Sequence, residues 1–255
     1  MDLFFRAFLF TTLEAFVVPL LVAGYLVVHR EAFARTTLLL LLSLSINPFL
    51  KSLFEVPLQE SLGKEGWALP SGHMQTAVVL WGWLAYEVKN RIFTCIVPLL
   101  WMGIGAGLIY FGYHTLADVT AAVLSGCLLI AGFRYLIQYT RPTRVQLGAL
   151  ITALSTLFYF VTPNNQIEPY APSALLGFTL GWALIPQNTC GMPQTWGKKL
   201  ALLILAFAGI IGLYSGAREI PATLWQTLVL YPAIGLWVGS FAPYLFNYLS
   251  SKLWK

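Results

Sequence analysis

Long apolar stretches separated by short polar segments run through the whole chain. Because about 20 apolar residues cross a bilayer as a helix, this pattern predicts nine membrane spans. They fall at residues 4–28, 36–54, 71–88, 92–112, 114–137, 146–163, 171–187, 199–216 and 221–248. The predicted fold class is therefore an all-α polytopic transmembrane helical bundle, and an odd number of spans places the two termini on opposite sides of the membrane.

The composition supports this assignment. Of the 255 residues, 58% are hydrophobic and only 10% are charged, whereas an ordinary soluble domain has about 25% charged residues. The net charge of +5 does not indicate a nucleic-acid partner, because the basic residues lie between apolar stretches, where they set membrane topology. The first apolar segment has no basic leader and no cleavage site, so we expect it to remain as a span.

Lysine and arginine are divided unevenly between the alternating loops. One set contains Arg30, Arg35, Lys89, Arg91, Arg134, Arg141, Arg144, Lys198, Lys199, Lys252 and Lys255. The other set contains only Arg6, Lys51, Lys64 and Arg218. The excess marks the first set as cytoplasmic, which predicts an outer N-terminus and a cytoplasmic C-terminus. In a bacterium this corresponds to the inner (plasma) membrane, with the outer side facing the periplasm.

Ionisable residues from three different spans reach the predicted outer face. Lys51 ends the second span, His73 begins the third and His114 begins the fifth. Such residues are costly at membrane depth and usually functional or paired, so we expect them to meet in one site. If the segment opens a helix, His114 and Asp118 lie on one face, where the carboxylate can hold one ring nitrogen and leave the other free. That arrangement is typical of an oriented nucleophile or base.

The residues before His73 predict the start of a helix. Pro70, Ser71 and Gly72 precede it, with Ser71 as the candidate N-cap. A helix N-terminus also presents free amide groups to an anion. Taken alone, Ser-Gly-His is a weak signal, because a capping serine before an interfacial histidine also explains it; its weight comes from Lys51 and His114.

The three cysteines do not indicate a metal site. Cys95 and Cys127 lie within apolar runs and Cys190 lies in a short loop, with no CxxC spacing among them. We therefore predict neither a zinc site nor a structural disulfide.

These residues resemble the type 2 phosphatidic acid phosphatase superfamily, which includes bacterial lipid and undecaprenyl pyrophosphate phosphatases. That family's pattern consists of Lys-x6-Arg-Pro, then Pro-Ser-Gly-His, then Ser-Arg-x5-His-x3-Asp. The matching positions here are Lys51, Pro70, Ser71, Gly72, His73, His114 and Asp118. The departures are Leu58 and Gln59 at the Arg-Pro positions and Gly107 and Leu108 at the Ser-Arg positions, so both family arginines are leucines.

The resemblance covers about residues 1–138. The order of the spans predicts a core of five spans at 1–138 that carries the site, a cytoplasmic linker at 139–145, and an appended bundle of about four spans at 146–255, which lies outside the resemblance.

The resemblance implies hydrolysis of a membrane lipid phosphate or pyrophosphate through a phosphohistidine, with no metal and no cofactor. In that chemistry His114 attacks phosphorus, Asp118 holds its other ring nitrogen, and His73 protonates the leaving group before activating water. Phosphoryl oxygens would be held by Ser71, the Gly72 amide and Lys51.

The two leucines leave three hypotheses open. In the first, the protein is a lipid phosphatase whose missing cations come from the outer-side residues Arg6, Lys64 or Arg218. Arg218 is the preferred donor, the alternative being a solvated charge paired with Glu219.

The second hypothesis is a phosphodiester transferase or hydrolase, similar in chemistry to sphingomyelin synthases, because a diester carries less charge and needs fewer cationic donors. The third is a non-catalytic lipid-binding or scaffold protein. Neither the lipid nor the oligomeric state can be predicted from the sequence.

Overall fold

The computed structural model describes residues 1–63, 65–163, 170–185, 192–217 and 226–253. Within these ranges the chain is helical, and its one β-type pairing is an isolated bridge in a loop. The helices are α1 (Asp2–Phe10), α2 (Glu14–Ala23), α3 (Arg30–Phe54), α4 (Gly72–Val88), α5 (Arg91–Tyr110), α6 (Leu116–Thr140), α7 (Arg144–Val161), α8 (Tyr170–Leu184), α9 (Trp196–Ala217), α10 (Tyr231–Leu236) and α11 (Ala242–Leu253). Turns of π-helix, Gly24–Val28 and Trp237–Phe241, extend α2 and join α10 to α11.

The protein is an all-helical integral membrane protein. Among the described residues, six helices are long and apolar enough to cross a bilayer: α3, α5, α6, α7, α9 and the continuous helix Thr227–Lys252. The bent pair α1 and α2 makes a seventh if it counts as one span. Helices α4 and α8 have 17 and 15 residues and are shorter than these. The count of nine spans and the orientation therefore stay predictions.

The prediction of one uninterrupted helix for the first span, 4–28, is wrong. The chain breaks between α1 and α2, which are bent by 44° relative to each other. At the break, the hydroxyls of Thr11 and Thr12 donate to the carbonyls of Phe8 and Leu9, both at 2.7 Å. Such local side-chain bonds compete with the helical ladder, and hydropathy does not reveal them.

Local capping fixes helix ends at both the site end and the opposite end of the bundle. Thr115 and Thr143 each form a capping box at the start of α6 and α7, which satisfies amide groups that have no acceptor within the helix. Glu55, Lys89 and Arg141 adopt the left-handed conformation where α3, α4 and α6 end. Polar groups therefore terminate these helices at the edges of the apolar stretches.

Helix α4 lies at the centre of the site-bearing part and contacts α3, α5 and α6. Its Ala77, Val78, Val79 and Trp83 are completely buried. Because lipid tails are as apolar as these side chains, close packing and interhelical hydrogen bonds must hold such helices together.

The predicted appended part packs directly on the predicted core. Ser45 of α3 and Ser155 of α7 share a hydrogen bond, and the Tyr25 hydroxyl donates to the Gly239 carbonyl at 2.8 Å. The division at 139–145 stays a prediction, but contacts cross it throughout the bundle.

Candidate active site

The start of α4 and the start of α6 are hydrogen-bonded to each other. Ser71 caps α4 as predicted, because its Oγ accepts from the Met74 amide at 3.4 Å. The Ser71 amide donates to the Asp118 carbonyl oxygen at 3.2 Å. Ser71 is completely buried, and its hydroxyl forms its hydrogen bond within its own helix. The amides of Gly72 and His73 occupy the first two helical positions, where N–H groups have no acceptor within the helix.

The His114–Asp118 pair forms at a helix cap. We predicted that His114 opens the helix, but α6 begins at Leu116 with Thr115 as its N-cap. Asp118 Oδ2 accepts from the Thr115 amide at 2.7 Å, and His114 Nδ1 lies 3.6 Å from the same oxygen. The capping box therefore fixes the carboxylate that faces the imidazole.

The Nδ1 atom of His114 is buried and has no hydrogen-bond partner among the described residues. A separation of 3.6 Å from Asp118 is too long for a hydrogen bond, although catalytic hydrogen bonds are often long before substrate binds. Since Nδ1 faces the carboxylate, Nε2 is the nitrogen left for a substrate.

A tight turn after α5 positions the imidazole. The His114 amide donates to the Leu108 carbonyl at 3.3 Å, and the Phe111 amide donates to the Gly107 carbonyl at 3.1 Å. Gly112 lies between them with φ of +67°, a conformation that glycine adopts without steric cost. We define Phe111–His114 as the histidine turn.

Electrostatic interactions join the predicted site residues into one cluster. Burial lowers the pKa of His114, Asp118 raises it, and Lys51 and His73 lower it further. The net direction is downward, so the imidazole is neutral and able to act as a nucleophile near neutral pH. His114 and Asp118 are buried, whereas His73 is exposed.

The loop between α3 and α4 holds Lys51. Its Nζ donates to the Trp67 carbonyl at 2.7 Å, and the bridge between Pro57 and Trp67 closes the loop across itself. The amine is thus kept beside the cluster by a neutral acceptor, with no carboxylate bound to it among the described residues.

The two leucines provide no positive charge. Leu108 is completely buried in the core, and Leu58 is half-buried in the loop, where its amide donates to the Gly66 carbonyl at 3.0 Å. The neighbouring Gln59 reaches the histidine turn, since its Oε1 lies 3.7 Å from where a Cβ on Gly112 would be.

Of the three replacement cations considered from the sequence, the structure describes one. Arg218 and Lys64 lie outside the described residues, so their roles stay hypotheses. The guanidinium of Arg6 lies over the Phe111 ring, 5.4 Å from its centroid, which places it against the histidine turn.

A buried polar network behind the site was not predicted. Gln75 Oε1 accepts from Asn47 at 2.9 Å and from Ser125 at 3.0 Å, and its Nε2 donates to Ser43 Oγ at 2.9 Å. Asn47 also donates to the Pro70 carbonyl at 3.3 Å. Polar residues inside apolar runs at 43, 47, 75 and 125 were the available signal, and they join α3, α4 and α6 just below Ser71.

In the described part of the chain, no group of three His, Cys, Asp or Glu side chains is arranged to hold a metal ion. Cys95 and Cys127 are free thiols, and Cys190 lies outside the described residues.

Two family models match this chain. The model described as PAP2 superfamily matches residues 38–142, and the model described as PAP2 superfamily phosphatase, transmembrane extension, matches residues 170–253. Together they cover more than half of the chain, which belongs to the PAP2 superfamily. At this coarse level the matches support a membrane phosphatase, that is, a phosphoric ester hydrolase.

The second match lies in the part that we expected to be outside the resemblance, so the last helices are also a recognised superfamily element. No curated protein and no solved structure gives a match to this chain.

Proposed function

We propose that the protein hydrolyses a lipid phosphate or pyrophosphate head group at the outer face of the membrane through a phosphohistidine intermediate. The observation that carries this proposal is the buried His114 imidazole, whose Nδ1 faces Asp118 at 3.6 Å within the electrostatic cluster that includes Lys51 and His73. In a bacterium the site would face the periplasm from the inner membrane, in agreement with the distribution of basic loops.

In the first step, His114 Nε2 attacks phosphorus. A nitrogen–phosphorus bond forms while the bond from phosphorus to the leaving oxygen breaks, and His73 donates a proton to that oxygen. The exposed position of His73 suits this role, since the leaving group departs on the open side. Asp118 stabilises the imidazole as charge develops on it.

In the second step, His73 takes a proton from water, and the water oxygen attacks phosphorus. The nitrogen–phosphorus bond breaks, inorganic phosphate leaves, and His114 is restored. Lys51 and the amides of Gly72 and His73 at the start of α4 are the donors we assign to the phosphoryl oxygens. Ser71 contributes by capping α4 and by bonding to Asp118.

A second candidate, exchange or hydrolysis of a phosphodiester head group, is favoured by one specific observation. Leu58 and Leu108 supply no charge, which leaves Lys51 as the cation inside the described cluster. A diester carries one negative charge and a monoester up to two, so a cluster with few cations suits the diester better.

A product analysis on the purified full-length protein tests these proposals. Wild type and His114→Ala are incubated in detergent with radiolabelled phosphatidic acid, an isoprenyl pyrophosphate and a phosphodiester lipid. We expect release of inorganic phosphate by wild type and a loss of at least about a thousandfold in the variant, because the nucleophile is gone.

Other products would redirect the assignment. A new lipid formed without free phosphate would overturn hydrolysis in favour of head-group transfer. Binding of these lipids with no turnover by wild type would instead support a non-catalytic relative.

A further inference from the structure

The described cluster has too little positive charge for a phosphate monoester. Lys51 and the protonated His73 of the first step contribute two positive charges and Asp118 one negative charge, while the lowered pKa of His114 leaves that imidazole neutral. A bound monoester adds up to two negative charges at a partly buried place, where unpaired charge is expensive. The cluster therefore needs another cation to bind such a substrate.

Helix α1 lies against the end of α5 that carries this turn. The Tyr110 hydroxyl donates to Asp2 Oδ1 at 2.9 Å, and the rings of Phe5 and Tyr110 are 4.9 Å apart. A Cβ on Gly107 would lie 3.4 Å from Phe5 and 3.5 Å from Leu9, so the absence of a side chain at Gly107 lets α1 approach closely. This contact places α1 beside the last turn of α5.

Arg6 is the cation that α1 brings to this place. It follows Phe5 directly, it is exposed, and its guanidinium lies over the Phe111 ring at 5.4 Å. Within the described residues it forms no ion pair with a carboxylate. Phe111 and His114 belong to the same turn, whose amides bond to the carbonyls of Gly107 and Leu108. An arginine that packs on Phe111 is therefore next to the turn that carries the nucleophile.

We propose that Arg6 binds the phosphoryl group of the substrate and supplies the positive charge that α5 lacks at Leu108. This inference rests on the proposed hydrolysis at His114. Helix α1 lies outside both matched ranges, 38–142 and 170–253, so the donor comes from a part of the chain that the family models do not cover. Arginine suits the role because its planar guanidinium can bind two phosphoryl oxygens at once.

The test compares Arg6→Ala and Arg6→Lys with Arg91→Ala in purified full-length protein, using the phosphatidic acid assay described above. Arg91 is a matched control because it is also exposed but lies at the opposite end of α5. We expect kcat/KM to fall about a hundredfold or more in Arg6→Ala, as when one transition-state donor is lost, and to be partly retained in Arg6→Lys. Arg91→Ala should remain within about twofold of wild type, as for a surface site without special contacts.

Inhibition by orthovanadate, an oxyanion mimic of the transferred phosphoryl group, separates binding from structural support. Its inhibition constant should rise in Arg6→Ala and recover in Arg6→Lys. If Arg6→Ala matches Arg91→Ala in both measurements, or loses thermal stability without weakening vanadate inhibition, the inference is wrong while hydrolysis at His114 stands. If wild type releases phosphate from neither phosphatidic acid nor the isoprenyl pyrophosphate, the proposed function itself fails.

Discussion

At the scale of single residues, the protonation of one buried imidazole decides how the site responds to pH. Burial lowers the pKa of His114, and the positive charge of Lys51 lowers it further. A histidine attacks phosphorus only in its neutral form. Since the pKa lies below the ordinary value of about 6.5, we expect kcat/KM to fall on acidification only below that value.

Removing the charge of Lys51 should shift the acid limb of the profile of kcat/KM against pH in a defined direction. Lys51→Met removes a cation that disfavours the protonated imidazole, so the pKa of His114 should rise and the acid limb should move to higher pH. The rate at the optimum should also drop, by about a hundredfold if Lys51 holds a phosphoryl oxygen.

The measurement is kcat/KM for phosphatidic acid against pH in wild type and Lys51→Met, with Lys89→Met as a control at the other end of α4. An acid limb that stays in place or moves to lower pH would contradict the electrostatic coupling between Lys51 and His114.

Some features of the site could be predicted from the sequence and others could not. The pattern of polar residues at the ends of spans was enough to bring Lys51, His73 and His114 together, because helices that alternate in direction return to the same face. It was not enough to place Asp118 in a capping box, since that depends on whether Thr115 or His114 begins α6. The position of Arg6 depends on tertiary packing, which spacing along the chain does not contain.

At the scale of helices, the Gln75 network holds the site together. Its side chain bonds to Asn47 and Ser43 of α3 and to Ser125 of α6. Interhelical bonds in membranes are worth about 0.6 kcal/mol on average, so Gln75→Leu should lower the free energy of unfolding by about 1–3 kcal/mol. Because Asn47 also holds the Pro70 carbonyl before Ser71, kcat/KM should fall as well, by about tenfold.

Unfolding in mild detergent, with kcat/KM at a temperature where all variants are folded, measures both effects. Ser125→Ala is the matched control, since it removes one of these bonds and should cost about 0.6 kcal/mol with little loss of activity. If Gln75→Leu has the same free energy of unfolding as wild type, the network does not hold these helices together.

Hydropathy predicted the helical segments well because a backbone in lipid must satisfy its hydrogen bonds internally. It failed at Thr11–Leu13, where threonine hydroxyls bond to the preceding turn and interrupt the helix. It also could not show which glycines allow close approach. Gly177 of α8 lies against the backbone at Pro232, and Gly181 lies against Gly239, so the packing of α8 on α10 and on the π-helical turn Trp237–Phe241 became visible only in the structure.

At the scale of the whole molecule, the function depends on which side of the membrane the site faces. The loop with Glu60 lies at the same end as the site, and Thr140 ends α6 at the opposite end from His114. Basic residues are concentrated at the Thr140 end, including Arg141 and Arg144. Cytoplasmic loops carry such an excess, so we expect Glu60 outside and Thr140 inside.

Single cysteines at these two exposed positions test the orientation, in a protein whose Cys95, Cys127 and Cys190 are replaced by serine. A membrane-impermeant maleimide should label Glu60→Cys in intact cells and Thr140→Cys only after the cells are permeabilised. A protein that keeps Cys127 alone is the negative control, because this thiol lies midway along α6. The reverse labelling pattern would place the His114 site at the cytoplasmic face, and the substrate would then have to be a lipid of the inner leaflet, whatever its head group.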